Sequence, residues 1–464
     1  MPYISEKYAE FVLQLEYTDL PEKVRSRAKQ LIMDTLGCAI VGSRTLASRI
    51  VKDYVFQQNG RPESTVICAN KKVPAHYAML VNGTMSHADD FDDIHHCSAT
   101  HPSGVLFPAA LATAEKLGKT GKDIITSFVA GYEVMVRIGE ALVPENHYAR
   151  GFHPTCTTGT FGAACTIGKL YELNKEKIIK SLGIAGSFSS GLLEFLQDGS
   201  MVKRIYSGIA AFRGCLAVEL AKLGFTGPDS IIEGKRGFLH AFTDNPNMIK
   251  LDEGLGEEYK ILKTHIKLFA CNGAFQSAIE ALLNIIDENN INAEEIEEIT
   301  VGTAHTASTS FDPYNPKSPL DASQSLPYTL AVAAFEKNAG IAQYTWEKIK
   351  NPKILKLARK VKVFLDPELV NERREDCAKL GSKVTVKTKD GKAYTCKLSY
   401  HADGPGNWKP DKVELKFINN CSVILGEDIA KRILNKVKEL EKIDDLSELT
   451  SLLSKLKSWL PKVN

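Results

Sequence analysis

Apolar residues recur at three- and four-residue spacing through most of the first half of the chain, a period that only helices satisfy. Val24, Ala28, Leu31, Ile32 and Leu36 mark one such face. It opens at Asp19-Leu20-Pro21, read as an N-cap with proline just inside, and runs to Gly42. Similar faces cover residues 44–58, 74–90, 103–117, 121–143, 157–171, 176–187 and 203–223, with Gly118 and Gly224 as C-terminal stops. Only Ser64–Cys68 reads as a strand in this half.

The period changes after about residue 290. Glu295–Ala304, Val361–Leu365 and Val384–Lys387 are β-branched and partly alternating, and Lys389-Asp390-Gly391-Lys392 predicts a hairpin turn between two such runs. Helical segments at 273–289 and 321–337 share this region, which makes an α+β unit. Helical spacing then returns at 411–420, 427–442 and 445–459. The expected fold class is α plus α/β. A large all-α helical domain, residues 1–265 and 401–464, is interrupted by a smaller α+β domain at 266–400. The seam between two such domains is a common place for a small-molecule site.

Composition narrows the function. Lys plus Arg (58) nearly cancels Asp plus Glu (56), which argues against nucleic-acid binding through a basic stripe. Ten Cys without a C-x-x-C pair exclude a zinc ribbon and a thioredoxin-like motif. Their spread, Cys38 to Cys421, argues for reduced thiols in a cytosolic protein rather than a disulfide framework. The N-terminal MPYISEKYAEF carries charges where a signal peptide has its apolar run. Ile94–Ala114, the longest stretch free of Asp, Glu, Lys and Arg, contains three His and two Pro and makes a poor membrane helix. The expectation is a soluble, cytoplasmic protein with no nucleic-acid or membrane partner.

Between Ser86 and Ser103 the chain reads SHADDFDDIHHCSATHPS, and four of its eleven His and four Asp fall between His87 and His101. Imidazoles beside carboxylates are what proton transfer near neutral pH requires. If the helix from Pro74 continues to about residue 90, His87 and Asp90 share a face. The plainer alternative is a helix end and loop with surface Asp and a structural His. His87, Asp90, Asp93, His95 and His101 could also be metal ligands, but the usual zinc spacings are missing. Asp89-Asp90-Phe91-Asp92-Asp93 is similar to the Asp-rich motif of prenyl synthases, yet no second such motif follows. Gly118-Lys119-Thr120 lacks the first glycine of a phosphate loop, no G-x-G-x-x-G exists, and GSFSSG at 186–191 misses a nucleophile elbow by one position.

Three further places carry candidate side chains. His153 opens an uncharged, small-residue segment, which alone reads as core. Lys203 and Arg204 sit at the start of a largely apolar helix, where cations oppose the macrodipole. Lys267 is a lone cation in IKLFACNG, otherwise a snorkelling lysine. Several His, two acids and three cations suit a small polyanion. Carboxylates bind Lys and Arg strongly, and cations stabilise the charge that builds when a neighbouring proton leaves.

These residues carry a resemblance. HADDFDD followed by ATHPSGVLFPAALATAE resembles the signature of the MmgE/PrpD family, which includes 2-methylcitrate dehydratases, cis-aconitate decarboxylases and iminodisuccinate epimerases. RGFHPT, GTFGAA, MVKRIYSGIAA, GKRGFLHAF, IKLFACNG, QSLPYTLAVA and GPGNWKP extend it along almost the whole chain, in the family's order. The resemblance implies a helical domain with an inserted α+β lid, a homodimer, and neither metal nor organic cofactor. By position it makes His101 and His153 the acid–base pair, Lys203 and Lys267 the grips on substrate carboxylates, and Asp90 and Asp93 the groups that orient and tune the histidines. Arg204 is a further carboxylate contact. Three departures stand out: one residue more between Asp93 and His101 than the decarboxylases have, Asn272 where they carry a further histidine, and Tyr206 where a histidine is common. The implied activity is that of a lyase on a small di- or tricarboxylate, foremost dehydration of a 2-methylcitrate-like hydroxy acid. Epimerisation and decarboxylation pass through a related carbanion. A non-catalytic carboxylate-binding scaffold is the reading from another class.

Overall fold

A computed structural model describes residues 2–304, 312–400, 403–405 and 408–455. Residues 456–459 of the expected last helix, and residues 406 and 407 of GPGNWKP, lie outside the described residues.

Helices fill the first half, close to the bounds the periodicity sets. They include α1 (Glu22–Gly42), α2 (Ala75–His87), α3 (Ser103–Leu117), α4 (Gly121–Ala141), α5 (Pro154–Leu170) and α6 (Tyr206–Lys222). Gly118 ends α3 in the left-handed conformation expected of it, at φ 65°. The start of α1 differs from expectation. Tyr17–Asp19 forms its own 3-10 turn and Pro21 is the capping residue, so Asp19 belongs to the turn before the helix. The strand expected over Ser64–Cys68 shrinks to a two-residue ladder, Ser64–Thr65 against Lys72–Val73.

The β-branched runs form one four-stranded sheet. β1 (Ile296–Thr303) lies at its interior with β2 (Val361–Leu365) parallel on one side and β3 (Ser382–Thr388) antiparallel on the other; β4 (Ala393–Leu398) closes the edge beyond β3. The β3–β4 hairpin turns at Lys389–Lys392, where Gly391 takes φ 86° as a tight turn demands. The parallel β1–β2 pair needs a crossover, supplied in part by α8 (Leu326–Glu336) after α7 (Gln276–Asn289) has packed on the sheet. Two large apolar clusters result. One joins the helices with α9 (Pro410–Leu425) and the segments after it, and the other lies between this sheet, α7 and α8. The chain is thus mostly helical with a small amount of sheet. Among the described residues no helix is long and apolar enough to cross a membrane.

One cysteine expectation is overturned. Cys97 and Cys377 form a disulfide across 280 residues of sequence, while the other eight cysteines are free. Sequence spacing could not reveal it, because the pairing depends on a Cα–Cα approach of 5.1 Å made by the tertiary fold.

Small residues set how closely the site-bearing helices approach. A Cβ on Gly83 of α2 would lie 2.6 Å from the Gly208 Cα of α6, so the two backbones touch where these glycines face each other. Gly83→Ala should therefore cost about 1–3 kcal/mol, the range for overpacking a tight core. Urea unfolding measures this, and unchanged stability would show that the helices separate freely.

Candidate active site

The helix α2 ends at His87, and the next residues turn back under it. Asp90 adopts φ 52°, a left-handed conformation that Asp tolerates better than most residues. Its buried carboxylate is held from three directions. Oδ1 accepts from Lys267 Nζ at 2.8 Å, while Oδ2 accepts from Lys203 Nζ at 2.7 Å and from Gln324 Nε2 at 2.9 Å. Lys267 Nζ also donates to the Asp90 carbonyl at 2.8 Å. Burial alone would raise the Asp90 carboxyl, but Lys203 and Lys267 outweigh it and hold it well below the usual carboxylate range. Lys203 is lowered by burial, whereas for Lys267 the attraction of Asp90 and Asp92 overcomes burial and raises it.

The histidines gather beside this bridge. His101 donates from Nδ1 to the Asp93 carbonyl at 2.7 Å, which leaves Nε2 as its basic nitrogen, and its backbone N–H donates to Thr155 Oγ1. His153 caps α5 with Pro154 at the first helical position, and its ring lies parallel to that of His101 with centroids 6.5 Å apart. Burial pushes His101 down to about 3 and His153 well below its ordinary value, so both are neutral in the free protein at neutral pH.

Two residues that the sequence reading left outside the acid–base set belong to this cluster. His87 packs 4.9 Å from His101 and 6.2 Å from His153, and its Nδ1 meets Asp92 Oδ2 at 2.8 Å. Asp92 Oδ2 is also 3.7 Å from His101 Nδ1, and its carboxyl, though buried, is held below the usual range by His87 and His101. The same Asp/His-rich run that pointed to His101 contains both. Gln324 opens QSLPYTLAVA, a block of the resemblance, but nothing in the residues marked it as part of the site. Its link to Asn272, Nδ2 to Oε1 at 3.0 Å, ties the Asp90 bridge to the position where a further histidine was the expected alternative.

The remaining expected residues are placed differently. The carboxyl group of Asp93 turns away from the lysines toward the start of α3, accepting from Ser103 Oγ at 2.7 Å and Tyr132 Oη at 3.0 Å. Burial, then the neighbouring Asp92, raise it to about 7. Its carbonyl, by contrast, orients His101. Arg204 lies nearest in charge to Asp89, which also pairs with Arg44 at 3.5 Å, and so stands outside the Asp90 bridge. Lys416 on α9 secures the frame. Its ammonium pairs with Asp34 at 2.6 Å and donates to the carbonyls of Phe91 and Lys267 at 2.7 and 2.8 Å.

A cavity of about 400 Å³ opens beside the bridge, lined by Lys203 and Gln324 together with Phe195, Lys317, Asp321 and Trp346. His87, Asp92 and His101 also place three ligand-type atoms within 4.8 Å of one another. However, the nitrogens His101 and His87 turn toward the Asp93 carbonyl and Asp92 carry protons, as such contacts require, and those have no lone pair for a metal. The arrangement fits proton transfer better. It offers neutral imidazoles close to two buried ammonium groups, of which that of Lys203 lines the cavity.

Comparison with known proteins finds matches along nearly the whole chain. The family model described as MmgE/PrpD N-terminal domain matches residues 6–249, and that described as MmgE/PrpD C-terminal domain matches residues 269–442. A cis-aconitate decarboxylase of Aspergillus terreus is 27% identical over 97% of this chain and 96% of its own length. The cis-aconitate decarboxylase of Homo sapiens is 27% identical over 97% and 94%, and that of Mus musculus 26% over 97% and 93%.

The raised Asp93 carboxyl gives a pH-dependent test of its placement. With a folded value near 7 against an ordinary 3.8, its protonated form contributes stability that is present below about pH 4 and lost as pH rises through 7. Asp93→Asn cannot ionise, so the variant's melting temperature should gain on the wild type between pH 4 and pH 8. A difference that does not change with pH would remove Asp93 from this environment.

Proposed function

The chain belongs to the MmgE/PrpD family, and we propose on that premise that it is a lyase acting on a small di- or tricarboxylate by histidine acid–base chemistry. The leading substrate class is a 2-methylcitrate-like hydroxy acid that loses water. One observation carries the reading: the neutral imidazoles of His101 and His153 lie parallel with centroids 6.5 Å apart, and the same neighbourhood holds Lys203 and Lys267, two buried ammonium groups gathered on Asp90. In this reading residues 266–400 form the lid and bring Lys267 and Gln324, the protein is a cytoplasmic homodimer, and no metal or organic cofactor takes part.

The chemistry follows from the geometry. An incoming carboxylate competes with Asp90 for Lys203 and Lys267, which then hold it by charge-assisted hydrogen bonds. His101 Nε2 removes the proton next to that carboxylate. The electron pair left on carbon delocalises onto the carboxylate, where the ammonium groups stabilise it. The pair then returns to form the C=C bond as the hydroxyl leaves with a proton from His153, producing water. His153 must enter that last step protonated. A polyanion in the hollow raises both imidazoles, so binding brings a proton in with the substrate.

Decarboxylation is the second reading, supported by what the named relatives do. Loss of carbon dioxide from an unsaturated tricarboxylate needs a single proton delivered to carbon, and one imidazole suffices. Two neighbouring imidazoles favour dehydration instead, as does Asn272, hydrogen-bonded to Gln324, at the position where the resemblance implies a histidine in decarboxylases. Epimerisation would use the same pair on opposite faces of one carbon.

Incubation with methylcitrate, cis-aconitate and iminodisuccinate in the presence of a chelator, followed by product NMR, separates these outcomes. Water loss from the hydroxy acid is expected. Binding without turnover of any of the three would replace the enzyme reading with the carboxylate-binding scaffold. His101→Ala should lower the rate by at least about 10²-fold, the scale of a general acid–base group. Lys203→Ala should raise KM with the fold intact, and an unchanged KM would take the carboxylate grip away from it. Substrate binding should also consume protons from a weakly buffered solution, which calorimetry in buffers of different ionisation enthalpy detects.

A further inference from the structure

We propose that His87, oriented by Asp92, is a third proton-handling imidazole of the site, exchanging protons with His101 and so resetting it between turnovers. The proposal rests on the lyase reading but concerns residues that the acid–base pair does not include. His87 is 1% exposed and Asp92 fully buried. The Asp92 carboxylate accepts the Nδ1–H of His87, which fixes the tautomer and leaves the lone pair on Nε2. That Nε2 is buried without a hydrogen-bond partner. A histidine retained only for packing would not strand a ring nitrogen at the usual cost of an unsatisfied buried group. One packed against the rings of His101 and His153, at 4.9 and 6.2 Å, has a use for it.

Charge supports the same assignment. The Asp92 carboxylate at 2.8 Å and the C-terminal end of α2, where the helix dipole favours a cation, both favour positive charge at His87. Lys203 and Lys267 oppose that charge, Asp90 and Asp92 offset them, and His101 and His153 are the neighbouring imidazoles. Asp92 Oδ2 also reaches toward His101, so the two rings share one carboxylate and protonation of one is felt by the other. A proton taken from substrate carbon by His101 can thus pass to His87 and on to His153, whose ring lies 6.2 Å from that of His87, replacing the proton His153 gave to the leaving hydroxyl. All three imidazoles then end a turnover as they began it, with the proton lost by carbon balancing the one that leaves in water.

Two substitutions in the full-length protein test this, His87→Gln and Asp92→Asn. Expected are a kcat lowered by about 10- to 100-fold, at the lower end of general acid–base effects, little change in KM, and a displaced limb of the kcat–pH profile in both variants. A loss of activity that merely tracks a loss of folded protein, with an unmoved pH profile, would make the pair structural and overturn the proposal. So would full activity, or activity restored by added divalent metal. If His101→Ala is inactive while His87→Gln is fully active, this inference alone fails. If His101→Ala is active, the lyase reading fails with it.

A different observation carries a second inference. The Cys97–Cys377 bond joins the turn between Asp93 and His101 to the segment after Pro367–Glu375, in the unit that carries the sheet. That turn is drawn together by the paired backbones of His95 and Thr100, and Ala99 sits at φ 51°. Cys377 is exposed and Cys97 partly so, both bordering an open groove, so a reductant can reach them. We infer that this bond is a redox clasp on the site. A small dithiol reduces it to two thiols and is itself oxidised to a disulfide, and the His101 segment is released from the sheet unit. The prepared protein should show both cysteines blocked to alkylation until dithiothreitol is added, and reduction should lower kcat/KM severalfold in wild type but leave Cys377→Ser unaffected by the reagent. Free thiols in air-oxidised protein, or equal activity before and after reduction, would overturn it.

Discussion

Two buried ammonium groups cannot sit side by side without an anion between them, and Asp90 supplies it. Its carboxylate joins the end of α2, the turn before α6, the irregular segment at Lys267 and the residue Gln324. These lie far apart in sequence, so the ion cluster acts as the keystone at which both apolar cores meet. Burial makes each charge expensive alone, and only the complete set is tolerable in a water-poor setting. In the proposed reading, an arriving carboxylate finds two cations already gathered and one internal competitor to displace.

A second layer of buried pairs keeps that bridge in place. Lys416 with Asp34 secures the carbonyls of Phe91 and Lys267, while Arg27 with Asp403 donates to the carbonyl of Thr264. Tyr132 connects Thr264 to Asp93, which in turn faces the first residue of α3 and lends its carbonyl to His101. Side chains on other elements thus hold the ring orientation of His101.

Much of this was legible beforehand. Helical spacing found nearly every long helix because each buries one face, and the β3–β4 turn was readable from Lys389–Lys392 because only a few residue types make such turns. The density of His and Asp between His87 and His101 pointed to the site region. Which member of the run does what was not legible. Asp90, Asp92 and Asp93 are near neighbours of one chemical type, yet backbone direction sends one to the lysines, one to the imidazoles and one to α3. Gln324, Lys416 and the Cys97–Cys377 pair left no local trace, since their roles arise from contacts across hundreds of residues. Arg204, adjacent to Lys203, was separated from it only by the direction each side chain takes from its turn.

The distribution of anchors over the chain bears on how such a protein could be inherited in pieces. The two matched regions divide near residue 260, yet the stretch before that point holds Asp90 and Lys203 while Lys267, Gln324 and Lys416 come from beyond it. A first half severed from the second would keep a carboxylate with one ammonium partner, and a second half alone would keep an ammonium with none. Recombination between distant cousins would join mismatched halves of one ionic lock. Wherever that lock is under selection, the two regions must travel through evolution as a single unit.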